Sequence, residues 1–155
     1  MKRLILPLIV SLLAGALTAQ TPSASQTAPT DQAKALAALS EGTTTTPSGL
    51  RYKVLTPGTG DQPQKGETVT AEYIGRLPDG TVFDSSASHP AAFQFVVGTG
   101  QVIKGWDEAF LSMKKGEKRL LIVPPELGYG EKGAGPTIPP NSWLVFEVQL
   151  IGIRG

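Results

Sequence analysis

The hydrophobic positions within residues 102–116 predict an amphipathic helix around which the rest of the chain is organised. Trp106, Phe110 and Met113 recur at i, i+4 and i+7, which places them on one stripe of a 3.6-residue period. Acidic residues in the first turn and lysines in the last suit the helix dipole, and Gly116 is positioned for a left-handed C-terminal cap. We expect this helix to pack on a sheet, with Trp106 as the floor of the pocket between them.

Short alternating runs elsewhere predict five or six β-strands. Val69, Ala71 and Tyr73, for example, fall on one face of a strand, and Pro78-Asp79-Gly80 predicts a tight turn that joins two strands as a hairpin. The predicted strands cover residues 50–55, 68–77, 81–83, 92–97, 117–123 and 143–153. Because the pattern contains hairpins and no alternation of strands with helices, the predicted fold class is α+β, an antiparallel sheet with one face covered by the helix.

The N-terminal part of the chain begins with a predicted export signal over residues 1–19. Lys2 and Arg3 precede an apolar run over residues 4–17, and small residues allow cleavage after Ala19. An uncleaved membrane anchor is the alternative, but the run is shorter than the ~20 apolar residues of a spanning helix. We therefore expect an exported protein, periplasmic or otherwise extracytoplasmic, without stable membrane insertion after cleavage.

Residues 20–47 predict a flexible segment and linker, because a composition rich in Thr, Ser, Pro and Ala buries too little surface to offset its ordering entropy. Residues 31–39 contain good helix formers behind a possible Asp31 cap. A transient helix and a contact surface are therefore alternatives to a simple spacer for this segment. All five Phe, three Tyr and two Trp follow residue 50. The predicted domain therefore spans residues 48–155.

Charge and cysteine content exclude several partners and chemistries. The chain has 14 basic and 13 acidic residues, and the two kinds are equal in number from Ser48 onward. No basic stripe is present, so we expect no nucleic-acid partner. The absence of cysteine excludes disulfides, thiolate catalysis, zinc–cysteine sites and a lipoprotein anchor.

The polar residues form no recognisable catalytic set. His89, the only histidine, precedes Pro90 in a polar segment, which predicts an exposed loop residue rather than a catalytic base or metal ligand. A turn role explains Asp79, whereas Asp84 directly follows Phe83 at the mouth of an aromatic-rich region. Taken by themselves, these residues predict a domain with an apolar cleft and a few polar groups.

Several different short motifs follow one another within residues 48–153. Each motif alone is weak evidence of a family, but their order and spacing together are specific. They are Tyr73-Ile74-Gly75, Gly80-Thr81-Val82-Phe83-Asp84-Ser85-Ser86, Phe93-Gln94-Phe95, Gly98-Thr99-Gly100-Gln101-Val102-Ile103-Lys104-Gly105-Trp106, Gly128-Tyr129-Gly130, Ile138-Pro139-Pro140-Asn141 and Leu144-Val145-Phe146-Glu147-Val148. With these motifs the chain resembles the FKBP-type peptidyl-prolyl cis-trans isomerases, the macrolide-binding immunophilins. The resemblance implies a sheet wrapped around the short helix, with the active site between them.

The resemblance also implies roles for individual residues. It implies that Tyr73, Asp84 and Tyr129 are catalytic, and that Trp106 lies under the proline ring. The backbone N–H of Ile103 and the hydroxyl of Tyr129 are expected to bond ligand carbonyls, while Asp84 orients the pocket, in part through a hydrogen bond to Tyr73. The implied substrate-binding residues are Phe83, Phe93, Val102, Ile103, Trp106, Ile138 and Phe146.

The implied activity is the acceleration of X–Pro isomerisation in exported proteins. The expected partners are proline-containing peptides and unfolded exported proteins, with macrolides as inhibitors. No covalent bond is made or broken, so we expect neither a cofactor nor a metal. Ala134 and Thr137 depart from the best-known members in the loop over the pocket, which bears on peptide preference and macrolide affinity.

Two other functions are compatible with the sequence. A non-catalytic chaperone of the same fold could bind proline-containing peptides, and an exported location with a flexible segment at residues 20–46 suits that function. A hydrolase could pair Asp84 with a second carboxylate across a cleft, although no motif supports it.

Overall fold

The structure, a computed structural model, describes residues 29–155, so the predicted export signal at residues 1–19 lies outside the described residues. The elements are helices α1 (Pro29–Leu39) and α2 (Lys104–Ser112), strands β1 (Thr44–Thr45), β2 (Arg51–Thr56), β3 (Thr68–Arg76), β4 (Val82–Ser85), β5 (Phe93–Val96), β6 (Lys118–Val123) and β7 (Leu144–Arg154), and 3₁₀ turns at Ser86–Ser88, Pro125–Leu127 and Gly130–Lys132. Within residues 29–155, no helix is long and apolar enough to cross a membrane.

The strands form one antiparallel sheet in the order β1-β2-β6-β7-β3-β4. Strand β5 pairs with the first half of β3, and β4 pairs with its second half, so both lie along the same edge of β3. The expected hairpin is present, since the N–H of Leu77 donates to the carbonyl of Thr81 at 2.9 Å. The α+β class and the antiparallel sheet are confirmed, with small shifts at the strand ends.

The described sheet has seven strands rather than five or six, because residues expected to be linker form β1. Thr44 pairs with Tyr52, and Thr45 pairs with Arg51. The sheet therefore begins before the expected domain boundary at Ser48. Both threonines are exposed, so this strand has no hydrophobic alternation from which it could be predicted.

Helix α2 is shorter than predicted, because tertiary hydrogen bonds take over the backbone after Ser112. Met113 has extended dihedral angles. The N–H of Lys115 donates to the carbonyl of Asp61, and the N–H of Gly116 donates to the carbonyl of Leu150. Gly116, at φ 90°, makes the turn into β6 instead of capping the helix, so that part of the prediction was wrong. The two lysines expected in the last turn lie beyond the helix.

The hydrophobic stripe of α2 is buried against the sheet, as predicted. Trp106 is 4% exposed, and Phe110 and Met113 are fully buried. A Cβ on Gly105 would stand 2.9 Å from Cγ1 of Val123, so this glycine lets the helix approach β6 closely. The facing core residues include Val69, Ala71, Phe95, Leu121, Leu144, Phe146, Val148 and Leu150.

A buried ion pair ties the end of α2 to β6. Arg119 Nε donates to Glu117 Oε1 at 2.7 Å, and both residues are 5% exposed. The same guanidinium donates to the hydroxyl of Ser112 at 2.8 Å and lies 4.5 Å from the ring centre of Tyr52. The second carboxylate oxygen accepts from the N–H of Lys114 at 3.1 Å. Every charge of this pair is therefore compensated, as burial of ions requires.

Candidate active site

A cavity of about 210 Å³ lies between α2 and the sheet. Its lining is mostly aromatic and aliphatic, with a small polar edge. The lining residues are Tyr73, Phe83, Asp84, Phe93, Gln101, Val102, Ile103, Trp106, Tyr129 and Phe146. The structure thus brings together every residue proposed for the site from the sequence except Ile138.

Trp106 forms the centre of the aromatic lining. The rings of Tyr73, Phe93 and Phe146 meet its indole edge-on, with centroid distances of 5.1, 5.7 and 5.3 Å. Edge-to-face pairs of this kind are favourable beyond the area they bury. Three strands, β3, β5 and β7, supply these rings, so the indole is held by the sheet as well as by its own helix.

Phe83 and Phe146 form one wall of the cavity, and a glycine makes their contact possible. Their rings meet edge-to-face at 5.5 Å. Gly75 on β3 pairs with both Asp84 and Phe146, and a Cβ on it would stand 2.6 Å from Cζ of Phe83 and 2.8 Å from Cε1 of Phe146. The two rings therefore occupy the space that any larger residue at position 75 would need.

The loop before α2 is fixed by the first turn of the helix. Asp107 accepts hydrogen bonds from the N–H groups of Gly98 and Gly100 at 2.9 and 2.8 Å. Ile103 occupies the N-terminal cap position, and among residues 29–155 its N–H has no hydrogen-bond acceptor. This donor borders the cavity. Its availability follows from the general rule that the first N–H groups of a helix lack partners within the helix.

Asp84 forms the polar edge of the cavity at the end of β4. Its Oδ2 accepts from the hydroxyl of Tyr73 at 2.7 Å, the contact expected from the resemblance. Its Oδ1 accepts from the N–H of Ser85 at 2.9 Å and lies 2.9 Å from Nε2 of His89. Burial by itself raises the pKa of the Asp84 carboxyl, but these hydrogen bonds and the charge of His89 outweigh it and hold the pKa below its usual value.

Two tyrosine hydroxyls face this carboxylate with different roles in the network. Burial, the hydrogen bond to Asp84 and the negative charge of Asp84 all raise the pKa of Tyr73, so this phenol stays protonated. Burial and the same negative charge raise the pKa of Tyr129. Tyr129 is 41% exposed, and no acceptor in residues 29–155 takes its hydroxyl proton. Tyr129 can therefore donate to a ligand, whereas Tyr73 is already committed to Asp84.

Ile138 lies beside the site rather than in its lining. It is 5% exposed and belongs to the hydrophobic core. Ile138 and Ala134 exchange backbone hydrogen bonds at 2.9 and 3.1 Å, which closes a small loop. A Cβ on Gly133 would overlap the carbonyl oxygen of Ile138, so the loop depends on that glycine. The structure thus places Ile138 in the packing under the loop and outside the cavity lining, and its contact with substrate stays a prediction.

Sequence reasoning missed one residue of the cavity lining, Gln101, and one contact at its edge, between His89 and Asp84. Gln101 lines the cavity, and its Oε1 accepts from the N–H of Val96 at 2.9 Å, which links the loop to β5. His89 is exposed, as predicted, but its imidazole pairs with Asp84. His89 lies five positions after Asp84 along the chain, and the intervening 3₁₀ turn brings the two side chains together. The Asp84–His89 spacing was the only available signal, and it is too common to have been informative.

The fold and the cavity define an α+β protein whose antiparallel sheet and short helix enclose an aromatic cavity, with an indole floor and a few polar groups at the edge. A sequence profile of the family described as FKBP-type peptidyl-prolyl cis-trans isomerase matches residues 60–151. FK506-binding protein 1A of Aspergillus fumigatus is 51% identical over 107 residues, covering 68% of this chain and 96% of that protein. The human peptidyl-prolyl cis-trans isomerase FKBP2 is 55% identical over 91 residues, covering 59% of this chain and 64% of that protein.

A solved structure agrees with these sequence relatives. The crystal structure of AtFKBP13 superposes with a TM-score of 0.70 at 40% identity, covering 73% of this chain and 98% of that chain. The chain therefore belongs to the FKBP-type peptidyl-prolyl cis-trans isomerase family, and it is an isomerase of that type.

Proposed function

We propose that this isomerase acts by holding the twisted prolyl amide of its substrate in the aromatic cavity, with the proline ring over Trp106. The observation that carries the proposal is the indole floor, 4% exposed and enclosed by the edges of three other rings. A flat, rigid and apolar surface of this kind matches a proline ring. The family membership of the chain supports the same assignment.

Amide electronics explain how such a cavity accelerates rotation. The barrier to rotation is about 18–20 kcal/mol because twisting removes the resonance of the planar amide. Resonance places negative charge on oxygen and positive charge on nitrogen, so the planar form is the more polar one. A dry aromatic cavity therefore disfavours the planar form relative to the twisted one. Each ~1.4 kcal/mol of such preference gives a tenfold increase in rate.

The polar edge positions the substrate in this proposal. The N–H of Ile103 and the hydroxyl of Tyr129 donate to substrate carbonyls, since both donors border the cavity and lack acceptors among the described residues. Asp84 holds the Tyr73 hydroxyl at 2.7 Å and thereby fixes the orientation of a ring that packs on Trp106. These contacts orient the peptide and provide no nucleophile, which suits a reaction in which no covalent bond is broken.

The test is exchange NMR spectroscopy of a short proline-containing peptide with the full-length protein and its variants. Phe83→Ala removes a wall ring, and we expect kcat/KM to fall by about tenfold or more with folding retained. The matched control is Val82→Ala in the same strand, because Val82 is 52% exposed and does not line the cavity. Peptide binding without catalysis by the wild type would contradict the proposal and would leave a chaperone that binds proline-containing peptides.

We further propose that the protein is exported and that macrolides of the FK506 type occupy the same cavity. Export is supported by Lys2 and Arg3 before an apolar run, and macrolide binding by relatives named as FK506-binding proteins. N-terminal sequencing of the protein from cell fractions tests the first proposal, with Gln20 as the expected first residue. Loss of catalysis on titration with FK506 tests the second. Unfolded exported proteins are the substrates that this location would supply.

A further inference from the structure

His89 is held next to the polar edge of the cavity by the turn that follows β4. Its Nε2 lies 2.9 Å from Oδ1 of Asp84, and its backbone N–H donates to the carbonyl of Ser86 at 3.2 Å. The 3₁₀ turn Ser86–Ser88 reverses the chain between the two side chains. The side chain of His89 is 51% exposed, so protons reach it freely from solvent.

The imidazole is connected to the cavity through Asp84 without entering the cavity itself. Asp84 lines the cavity, and its other oxygen accepts from the Tyr73 hydroxyl at 2.7 Å. The Tyr73 ring in turn packs edge-on against Trp106. His89 and the cavity therefore share one carboxylate, that of Asp84.

We propose that His89 is a positioning residue for the isomerase reaction, and that its protonation partly cancels the charge of Asp84 and slows catalysis. This proposal rests on the function proposed above. A histidine side chain generally changes its charge between about pH 5 and pH 8. Activity should therefore rise as the pH increases through that range.

The direction of the effect follows from the polarity of the amide. The planar amide carries more negative charge on its oxygen than the twisted form does. An uncompensated carboxylate at the cavity edge therefore raises the energy of the planar form more than that of the twisted form, which lowers the barrier. An imidazolium 2.9 Å from that carboxylate weakens this effect.

Other charged groups near His89 lie on the neighbouring strands. Glu72 on β3, Lys118 on β6 and Glu147 on β7 line a groove on the outer face of the sheet to which His89 also contributes. Glu147 is paired with Arg76 at 3.5 Å. Among residues 29–155, Asp84 is the only charged group within ion-pair distance of the imidazole. The proposal therefore concerns this one pair.

Two substitutions separate charge from hydrogen bonding. His89→Gln keeps a donor but cannot be charged, and His89→Arg is charged at every pH used. The kinetic measurement is kcat and KM by exchange NMR with an uncharged proline-containing peptide between pH 5 and pH 8. This method needs no coupling protease, whose own pH dependence would interfere.

We expect kcat of the wild type to rise about two- to fivefold across this range, a modest change because an exposed pair is weakly coupled. His89→Gln should be independent of pH and remain at the high value, and His89→Arg should be independent of pH at the low value. Since His89 is the only histidine in the chain, its C2–H signal in an untagged protein reports its protonation without assignment. The midpoint of that signal should coincide with the kinetic midpoint.

Different failures point to different errors. A rise in kcat of the same shape in all three proteins would overturn the role of His89, as would a kinetic midpoint that differs from the NMR midpoint. If His89→Arg does not fold, His89→Gln decides by itself: a profile that retains the wild-type rise overturns the inference, and a flat profile supports it. Absence of catalysis at every pH in all variants would instead refute the proposed function.

Discussion

Gly75→Ala tests whether the cavity wall depends on close contact between two rings and a bare backbone. The added Cβ would stand 2.6 Å from Cζ of Phe83 and 2.8 Å from Cε1 of Phe146. Carbon atoms in favourable contact lie about 3.5–4.0 Å apart, so both rings must retreat by roughly 1 Å. Gly75 lies between strand neighbours on both sides, so the backbone cannot move away to make room.

Two magnitudes follow from this displacement. Overpacking of a well-packed site typically costs about 1–3 kcal/mol of unfolding free energy. A displacement of ~1 Å in substrate-positioning groups can reduce the rate by about 100-fold. We therefore expect kcat/KM of Gly75→Ala to fall roughly 10- to 100-fold. The loss of stability cannot explain such a fall, because a sample that stays folded keeps nearly all of its protein in the native state.

The assay combines exchange NMR for kcat/KM with urea denaturation for stability. Gly152→Ala in β7 is the matched control, because its Cβ would meet nothing closer than Thr70 at 3.8 Å. The control should keep both the activity and the ring contacts. If Gly75→Ala kept the wild-type kcat/KM while folded, the wall formed by Phe83 and Phe146 would not matter for catalysis, and the geometric reasoning would be wrong.

Three further predictions concern the buried ion pair and the polar edge. Arg119→Met should lower the unfolding free energy measured by urea denaturation by about 3–5 kcal/mol, because it leaves the carboxylate of Glu117 buried without its partner. A destabilisation below about 1 kcal/mol would show that water reaches the carboxylate. Tyr129→Phe should lower kcat/KM about three- to tenfold, which is the effect of one lost hydrogen bond. Its Tm should be unchanged, because the side chain is 41% exposed. An unchanged kcat/KM would remove Tyr129 from the mechanism. The depressed pKa of Asp84 contributes stability above the usual carboxyl pKa, which is lost as the pH falls through the folded-state value. The Tm of the wild type should therefore fall more between pH 6 and pH 3 than that of Asp84→Asn, and parallel curves would refute this linkage.

Local hydrophobic patterns were sufficient to predict an element wherever the burial of one of its faces decided its structure. The stripe of Trp106, Phe110 and Met113 and the alternation of Val69, Ala71 and Tyr73 identified the helix and a central strand, because buried faces must repeat with the period of their element. Patterns failed where burial played no part. The exposed strand at Thr44–Thr45 pairs through its backbone alone, so its sequence contains no periodic signal.

The end of α2 shows a second limit. Helix formers and lysines after Ser112 favour a longer helix, and the local preference is reasonable. The backbone of Lys115 and Gly116 is instead bonded to residues far away in the sequence, at Asp61 and Leu150. A local preference worth tenths of a kcal/mol per residue cannot compete with several tertiary hydrogen bonds and a packed core.

The sequence by itself determined the fold class, the strand order along the chain, the indole at the centre of the site and, through motif spacing, the family resemblance. Only the tertiary structure decided which side chains meet. It paired His89 with Asp84, placed Gln101 in the cavity lining and packed Ile138 beneath a loop next to the cavity. The physical reason is that periodicity reports which face of an element is buried, whereas contacts between elements depend on turns and strand pairing that bring distant residues within a few ångströms of each other.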